Sequence, residues 1–130
     1  VFGHENFRDG QEWAINRCRE GKSSLLVLPT GSGKSLCYQL PACLVDGLVV
    51  VVSPLVALIE EQLARMPPEI PCVTLSGSSA SLERRLRALE DARTGRAKIV
   101  FTSPERLSSR ALKEALAGIE CGLFVVDEAH

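Results

Sequence analysis

Leu28-Pro-Thr-Gly-Ser-Gly-Lys-Ser35 lies between an apolar run and a helical pattern, and it carries the residues that hold the phosphates of a nucleoside triphosphate. Gly31 and Gly33 let the backbone curl, so that successive N–H groups point at phosphate oxygens. Lys34 can reach the β- and γ-phosphates, and the Ser35 hydroxyl can ligate Mg²⁺. A helix beginning near Lys34 adds its positive N-terminal dipole. The predicted phosphate-binding residues are Thr30, Gly31, Ser32, Gly33, Lys34 and Ser35.

One position departs from the strict phosphate-loop pattern, which has a glycine where this chain has Leu28. The stretch therefore matches the shorter TGxGK[ST] variant, which is typical of helicase-type motors.

The composition indicates one ordinary globular domain. The chain has 130 residues, 45% of them apolar, and a net charge of −1, so any contact with nucleic acid must come from local groups. The longest apolar run, 48–52, is far too short to span a membrane. The cysteines form no CxxC pair and lie in apolar stretches, so we expect reduced core residues in an intracellular protein, nuclear in a eukaryote and in the cytoplasm or nucleoid of a bacterium. They are Cys18, Cys37, Cys43, Cys72 and Cys121.

Helical and extended patterns alternate along the chain. The sequence predicts helices over 11–20, 34–40, 55–66, 82–93 and 109–117. It predicts strands over 24–28, 48–52, 72–75, 99–102 and 123–126. Such alternation requires crossover connections, so we expect an α/β fold whose mostly parallel sheet, of about five strands, is covered by helices on both faces. Ligands of such sheets gather at the carboxyl ends of the strands.

The segment 123–130, Leu-Phe-Val-Val-Asp-Glu-Ala-His, is an apolar strand that ends in two carboxylates. Asp127 can hold Mg²⁺ opposite Ser35, and Glu128 can orient the water that attacks the γ-phosphate. An Asp-Glu pair alone is more often part of a solvated loop, but together with the phosphate loop it predicts ATP hydrolysis. His130 has no proton to move in this scheme, and we interpret it as coupling the nucleotide site to neighbouring elements; an ordinary polar loop residue is the alternative.

The N-terminal segment predicts a helix with a polar residue at its head. Asp9 is a good N-cap, with Glu12 completing a capping box. Gln11 then shares a face with Ala14, Ile15 and Cys18, so its amide needs a hydrogen-bond partner. An adenine edge and nearby backbone groups both satisfy it, and the residues alone leave the two equally open.

Two Ser-Pro pairs follow predicted strands, Ser53-Pro54 and Ser103-Pro104. Each predicts a serine N-cap and a proline at the first helical position, on the edge of the sheet where helix N-termini can bind phosphate oxygens. Ser-Pro is also an ordinary way to start a helix, so either pair alone leaves that reading open.

The helix predicted over 82–93 carries leucines and charges on separate faces. We expect Leu82, Leu86 and Leu89 to point inward. Arginines at 84, 85 and 87 alternate with acids at 83, 90 and 91, and the spacing Glu83–Arg87 and Arg87–Asp91 favours a solvated, self-paired face over a DNA-binding patch.

Together these residues resemble the first motor domain of RecQ-type DNA helicases, within helicase superfamily 2. The markers are FGHENFRDGQ at 2–11, LPTGSGKSLCYQLPA at 28–42, VVSPLVALIEEQ at 51–62, FTSPERL at 101–107 and VVDEAH at 125–130. The continuations LCYQLPA and SPLVALIEEQ distinguish RecQ helicases from DEAD-box RNA helicases, which typically have PTRELA.

The resemblance implies a three-layer RecA-like domain that binds ATP and Mg²⁺. It implies that Arg8 and Gln11 read adenine, and that Lys34, Asp127 and Glu128 serve hydrolysis. The residues implied to contact single-stranded and partly duplex DNA are Ser53, Pro54, Ser103, Pro104 and Arg106, with translocation 3′ to 5′. His4 stands where many relatives have a tyrosine, and Asp9 replaces a common proline.

In that family a second motor domain supplies an arginine finger. We therefore interpret 1–130 as part of a helicase ATP-binding domain that ends after the DEAH motif, and expect little turnover from it alone. The alternatives are an RNA helicase of the DEAD/DEAH kind and an inactive ATP-binding interaction module. Intact Lys34, Ser35, Asp127 and Glu128 argue against the inactive module.

Overall fold

Four parallel strands form one sheet in the computed structural model, which describes residues 10–27, 36–54, 56–75, 82–107 and 110–127. The strands are β1 (Leu48–Val52), β2 (Cys72–Thr74), β3 (Ile99–Thr102) and β4 (Cys121–Val126), in the order β2-β3-β1-β4. The helices are α1 (Gln11–Arg19), α2 (Leu36–Ala42), α3 (Val56–Arg65), α4 (Leu82–Arg93), α5 (Pro104–Leu107) and α6 (Arg110–Leu116). The predicted α/β class and parallel sheet are confirmed.

The two central strands, β1 and β3, are buried on both faces, as their runs of β-branched residues predict. On one face Val49, Val51 and Phe101 pack against α2 and α3. On the other face Val50 and Val100 pack against α4, with α5 and α6 at the periphery. Each buried aliphatic side chain stabilises the fold by roughly 1.5–3 kcal/mol, so this double-sided core carries most of the folding energy.

The strand predicted over 24–28 does not form over residues 24–27. Leu25 is 77% exposed and Val27 is 82% exposed. A strand needs a hydrogen-bonded neighbour, and no pairing in the described sheet includes these residues. Apolar character alone therefore predicted this strand wrongly for its first four residues, and Leu28 lies outside the described residues.

Two helix ends differ from the predictions. The N-cap of α1 is Gly10, in the left-handed region with φ of 83°, and not Asp9, so the helix begins one residue further along than a cap at Asp9 requires. Helix α2 continues through Pro41 to Ala42, because a proline in the last turn forfeits only one intrahelical bond. The Pro41 carbonyl then accepts hydrogen bonds from the N–H groups of Leu44 and Val45, at 2.8 Å each.

The residues of helix α4 that face the core differ from those that the sequence predicted. Leu86 is 57% exposed, whereas Ala88 and Ala92 are buried and Leu89 is partly buried. Two alanines four residues apart leave room for the helix to approach the sheet closely. The side chain of Leu82 lies outside the described residues.

Of the two ion pairs predicted on the charged face of α4, the structure has one. Glu83 and Arg87 form an exposed ion pair at 3.5 Å. Asp91 pairs with Arg96 beyond the helix, at 3.3 Å, and not with Arg87, the partner that the sequence predicted.

All five cysteines are free thiols, as predicted, but two of them are not core residues. Cys37 is buried, while Cys43 and Cys121 are exposed. Cys43 lies in the turn after α2 and Cys121 at the amino end of β4, where the apolar runs that contain them reach the surface. Over the described ranges, no helix has the length and apolar character needed to cross a bilayer.

Candidate functional site

Three strands end together at the carboxyl edge of the sheet. The register pairs Val52 with both Thr102 and Val126. The ladders continue one residue further, where the Ser53 N–H donates to the Thr102 carbonyl at 3.0 Å and the Asp127 N–H donates to the Val52 carbonyl at 2.8 Å. The structure therefore brings the residues that follow β3, β1 and β4 into one row along this edge.

Ser103 caps the short helix α5. Its Oγ accepts a hydrogen bond from the Arg106 N–H at 3.3 Å, and Pro104 is the first helical residue. This confirms the predicted N-cap and proline. Ser103 is 6% exposed, whereas Pro104 and Glu105 are exposed and Arg106 is half-buried, so the proline and the arginine are both accessible, beside an exposed carboxylate.

Ser53 differs from Ser103, although the two have the same local sequence. Helix α3 begins at Val56, so Ser53 is not its N-cap and Pro54 is not its first residue, and that prediction was wrong. The Ser53 side chain is 2% exposed, and its Oγ has no hydrogen-bond partner among the described residues. A buried hydroxyl left without a partner costs about 1–3 kcal/mol. Pro54 is exposed beside it.

Asp127 follows β4 and is half-buried. Within the described residues there is no cluster of three or more His, Cys, Asp or Glu side chains that could hold a metal ion by itself. Mg²⁺ is usually held by only one or two carboxylates, with waters and substrate phosphates completing its shell. The Asp127 carboxylate therefore fits a nucleotide-bound Mg²⁺.

Gln11 lies where the sequence predicted it, at the head of the buried face of α1. It is 3% exposed, beside Ala14 at 3% and Ile15 at 4%. Helix α1 packs against α2, so the helix that carries the glutamine adjoins the helix that follows the phosphate-loop sequence.

Burial changes the acidity of two thiols in these helices. It raises the pKa of the Cys18 thiol in α1. Burial also raises the pKa of the Cys37 thiol in α2, and the neighbouring Cys18 adds to that rise. Both thiols are held protonated, which suits packing residues and not nucleophiles.

Several predicted site residues lie outside the described residues and stay predictions. They are Arg8, Thr30, Gly31, Ser32, Gly33, Lys34, Ser35, Glu128 and His130. The first described residue after the loop, Leu36, is helical, in agreement with the predicted loop-to-helix transition.

Sequence reasoning missed Tyr38, whose hydroxyl is also buried without a hydrogen-bond partner. The signal was present in the sequence. Tyr38 is the chain's single tyrosine and stands one helical turn after Lys34, on a helix predicted to begin at that lysine.

Comparison with known proteins identifies the family of the chain. The family model described as DEAD/DEAH box helicase matches residues 8–130. The protein named ATP-dependent DNA helicase Q-like 5 from Arabidopsis thaliana is 46% identical over 100% of this chain and 14% of its own length. ATP-dependent DNA helicase RecQ from Haemophilus influenzae is 35% identical over 100% of this chain and 21% of its own length.

A third relative, named Probable ATP-dependent DNA helicase RecS, from Bacillus subtilis, is 39% identical over 99% of this chain and 26% of its own length. The chain thus spans about a quarter or less of each of these three relatives. The family match covers residues 8–130, and the three relatives match over 99–100% of the chain. The relatives matched over the whole of this chain are RecQ-type DNA helicases. The chain belongs to the DEAD/DEAH box helicase family.

Proposed function

We propose that this chain is the ATP-binding motor domain of a DNA helicase that couples ATP hydrolysis to 3′-to-5′ movement on single-stranded DNA and to unwinding of duplex DNA. The observation that carries the proposal is the row of Ser53, Ser103 and Asp127 along one edge of a parallel sheet. Ligands of such sheets bind at this edge. The phosphate-loop sequence directly precedes α2, which packs on the same sheet.

The nucleotide would be held from two sides. The Gln11 amide, at the head of α1, and Arg8 would recognise adenine. The phosphate-loop backbone and Lys34 would hold the phosphates. Ser35 and Asp127 would hold Mg²⁺, which when bound neutralises phosphate charge. Glu128 would orient the attacking water, and in this scheme His130 couples the site to the rest of the motor.

The DNA would run along the same edge. Among the described residues there, Pro54 and Pro104 are exposed and Arg106 is half-buried, and each proline follows a buried serine, Ser53 or Ser103, whose hydroxyl the resemblance assigns to DNA contact. Because the net charge is −1, attraction to the backbone must come from such local contacts. The relatives' names specify DNA, which favours DNA over RNA as the partner. An intracellular location follows from that partner.

A second motor domain completes this scheme by supplying an arginine finger. Such a finger is worth on the order of 10³–10⁵ in rate. The proposal is therefore tested in the full-length protein, with this chain contributing nucleotide and DNA binding.

Substitution of Lys34 tests the nucleotide site. In the full-length protein, Lys34→Ala should lower ATPase activity stimulated by single-stranded DNA by at least about 100-fold, because a preorganised cation on the phosphates is lost. DNA affinity, measured by fluorescence anisotropy without nucleotide, should stay within about twofold of the wild-type value. Lys113→Ala, at an exposed lysine on α6, is the matched control and should change neither quantity.

The same assay separates the alternatives. Stimulation by RNA and not by DNA identifies an RNA helicase. ATP binding without turnover, in the presence of either nucleic acid, identifies an inactive interaction module. Wild-type ATPase activity in Lys34→Ala contradicts the assignment of the site.

A further inference from the structure

Tyr38 places a polar atom inside an apolar core. The residue is 5% exposed and belongs to the hydrophobic cluster formed by α2, α3 and one face of the sheet. Its ring meets Phe101 edge-on, with ring centroids 6.3 Å apart and an interplanar angle of 75°. The phenolic oxygen is buried and has no hydrogen-bond partner in the described part of the chain.

Packing alone does not account for that oxygen. The ring supplies the contact with Phe101, and phenylalanine would supply the same ring. A buried hydroxyl without a partner lowers stability, so a tyrosine used only for packing is worse than a phenylalanine at this position. A hydrogen-bond partner for the hydroxyl would remove that cost.

Strand alternation identifies the nearest candidate. Leu123 and Val125 pack against the cluster that contains Tyr38, so the period of two places Asp127 on the same face of β4. Burial raises the pKa of the Tyr38 phenol well above its usual range, and the negative charge of Asp127 raises it further. A phenol O–H is a hydrogen-bond donor and a carboxylate is an acceptor, so the two groups on this face are chemically matched.

We propose that Tyr38 is a positioning residue for Asp127, whose carboxylate accepts a hydrogen bond from the phenol, directly or through one ordered water. The bond would hold the carboxylate in one orientation, the orientation in which it would help to hold Mg²⁺ and its waters. Because α2 follows the phosphate loop, the bond also ties the carboxylate after β4 to the helix that carries the loop. The inference rests on the proposed function, in which Asp127 helps to hold Mg²⁺.

Hydrogen bonds to metal-binding carboxylates have a characteristic effect when they are removed, typically a 10- to 100-fold loss of metal affinity or activity. In the full-length protein, Tyr38→Phe should raise the Mg²⁺ concentration needed for half-maximal DNA-stimulated ATPase activity by about tenfold or more. DNA affinity without nucleotide should not change. The melting temperature should fall by no more than about 4 °C, because the ring that packs on Phe101 is kept and only one hydrogen bond is lost.

Ile59→Val is the matched control. Ile59 is 1% exposed in the same hydrophobic cluster, and the substitution removes one heavy atom, as Tyr38→Phe does. It should lower the melting temperature slightly and leave the Mg²⁺ dependence at the wild-type value.

The outcomes distinguish a failure of the role proposed for Tyr38 from a failure of the proposed function. A Tyr38→Phe protein with wild-type Mg²⁺ dependence and turnover overturns the positioning role. A shift of Mg²⁺ dependence as large in Ile59→Val as in Tyr38→Phe also overturns it, because the effect would then belong to core packing. Absence of Mg²⁺-dependent turnover in the wild-type protein refutes the proposed function, and this inference with it.

Discussion

Lys98 is an example of a single residue that closes the amino edge of the sheet. Its Nζ donates hydrogen bonds to the Val45 carbonyl at 2.6 Å and the Gly47 carbonyl at 2.8 Å. These carbonyls belong to the turn that leads from α2 into β1, so one ammonium group fixes the entry to a central strand. The carboxyl edge, where the nucleotide is proposed to bind, is at the opposite end of the same strand.

Lys98→Met should therefore lower the free energy of unfolding without touching the nucleotide site. The methionine keeps most of the aliphatic stem but leaves two partly buried carbonyls without their charged donor, at a cost of about 1.5–3 kcal/mol. The loss of unfolding free energy is measured by titrating the protein with urea and monitoring hydrogen–deuterium exchange in peptides from this chain. Lys113→Met, on the exposed side of α6, should change stability by less than about 0.5 kcal/mol. Equal losses in the two variants would contradict the role given to Lys98.

Single residues also show where sequence reasoning succeeds. The burial of Gln11 followed from helical periodicity, and the cap at Ser103 followed from a local Ser-Pro signal. Ser53 has the same signal but a helix that starts later, because the three-dimensional path of the chain after β1, and not the local sequence, sets the first turn of α3. The sequence shows that Tyr38 stands one helical turn after Lys34, but that its hydroxyl is buried without a partner among the described residues is seen only in the structure.

At the scale of elements, β4 contains an irregularity with a defined cause. The register with β1 shifts between Leu48, which pairs with Cys121, and Val49, which pairs with Leu123. Gly122 is the extra residue. A Cβ at Gly122 would collide with the backbone carbonyl oxygen of Asp46. The bulge thus needs a glycine because two backbones approach each other closely at that point.

Gly122→Ala should accordingly destabilise the pairing of β4 with β1. The added methyl meets backbone, which cannot move aside as a flexible side chain could, so we expect a loss of at least about 2 kcal/mol in the free energy of unfolding. Faster amide exchange in peptides that cover β4 and β1 checks this. Gly118→Ala is the control, because a Cβ there meets no atom within 4 Å. A Gly122→Ala protein as stable as Gly118→Ala would show that the strand can shift away from Asp46.

The positions of the helices and strands could largely be predicted from the sequence. Which residues of each element face the core was predicted less well. Period and length identified β1, β3 and the helix over Leu82–Arg93. The stripe that α4 buries was predicted wrongly at Leu86, since leucines were weighed above the alanines that permit close packing on the sheet. The strand at 24–27 was wrong because pairing partners are not encoded in the segment itself.

At the scale of the whole molecule, the sheet order β2-β3-β1-β4 explains how distant motifs meet. Parallel crossover connections bring every strand's carboxyl end to one edge, which the alternation of elements predicted. The order of the strands was not predictable, because each pairing depends on packing across both faces. Position along the strands and helices also decides which cysteines reach solvent, and the local sequence around each cysteine does not indicate it.

The thiols therefore provide a test of the fold as a whole. Cys43 and Cys121 are exposed, whereas burial raises the pKa of the Cys18, Cys37 and Cys72 thiols. Only thiolate reacts with iodoacetamide, so at pH 8 the two exposed cysteines should be labelled at least about tenfold faster than the other three. Peptide mapping by mass spectrometry measures each rate. In urea the difference should vanish, because unfolding removes the burial that raises the pKa; slow labelling of Cys43 or Cys121 in the native protein would contradict the placement of α2 and β4.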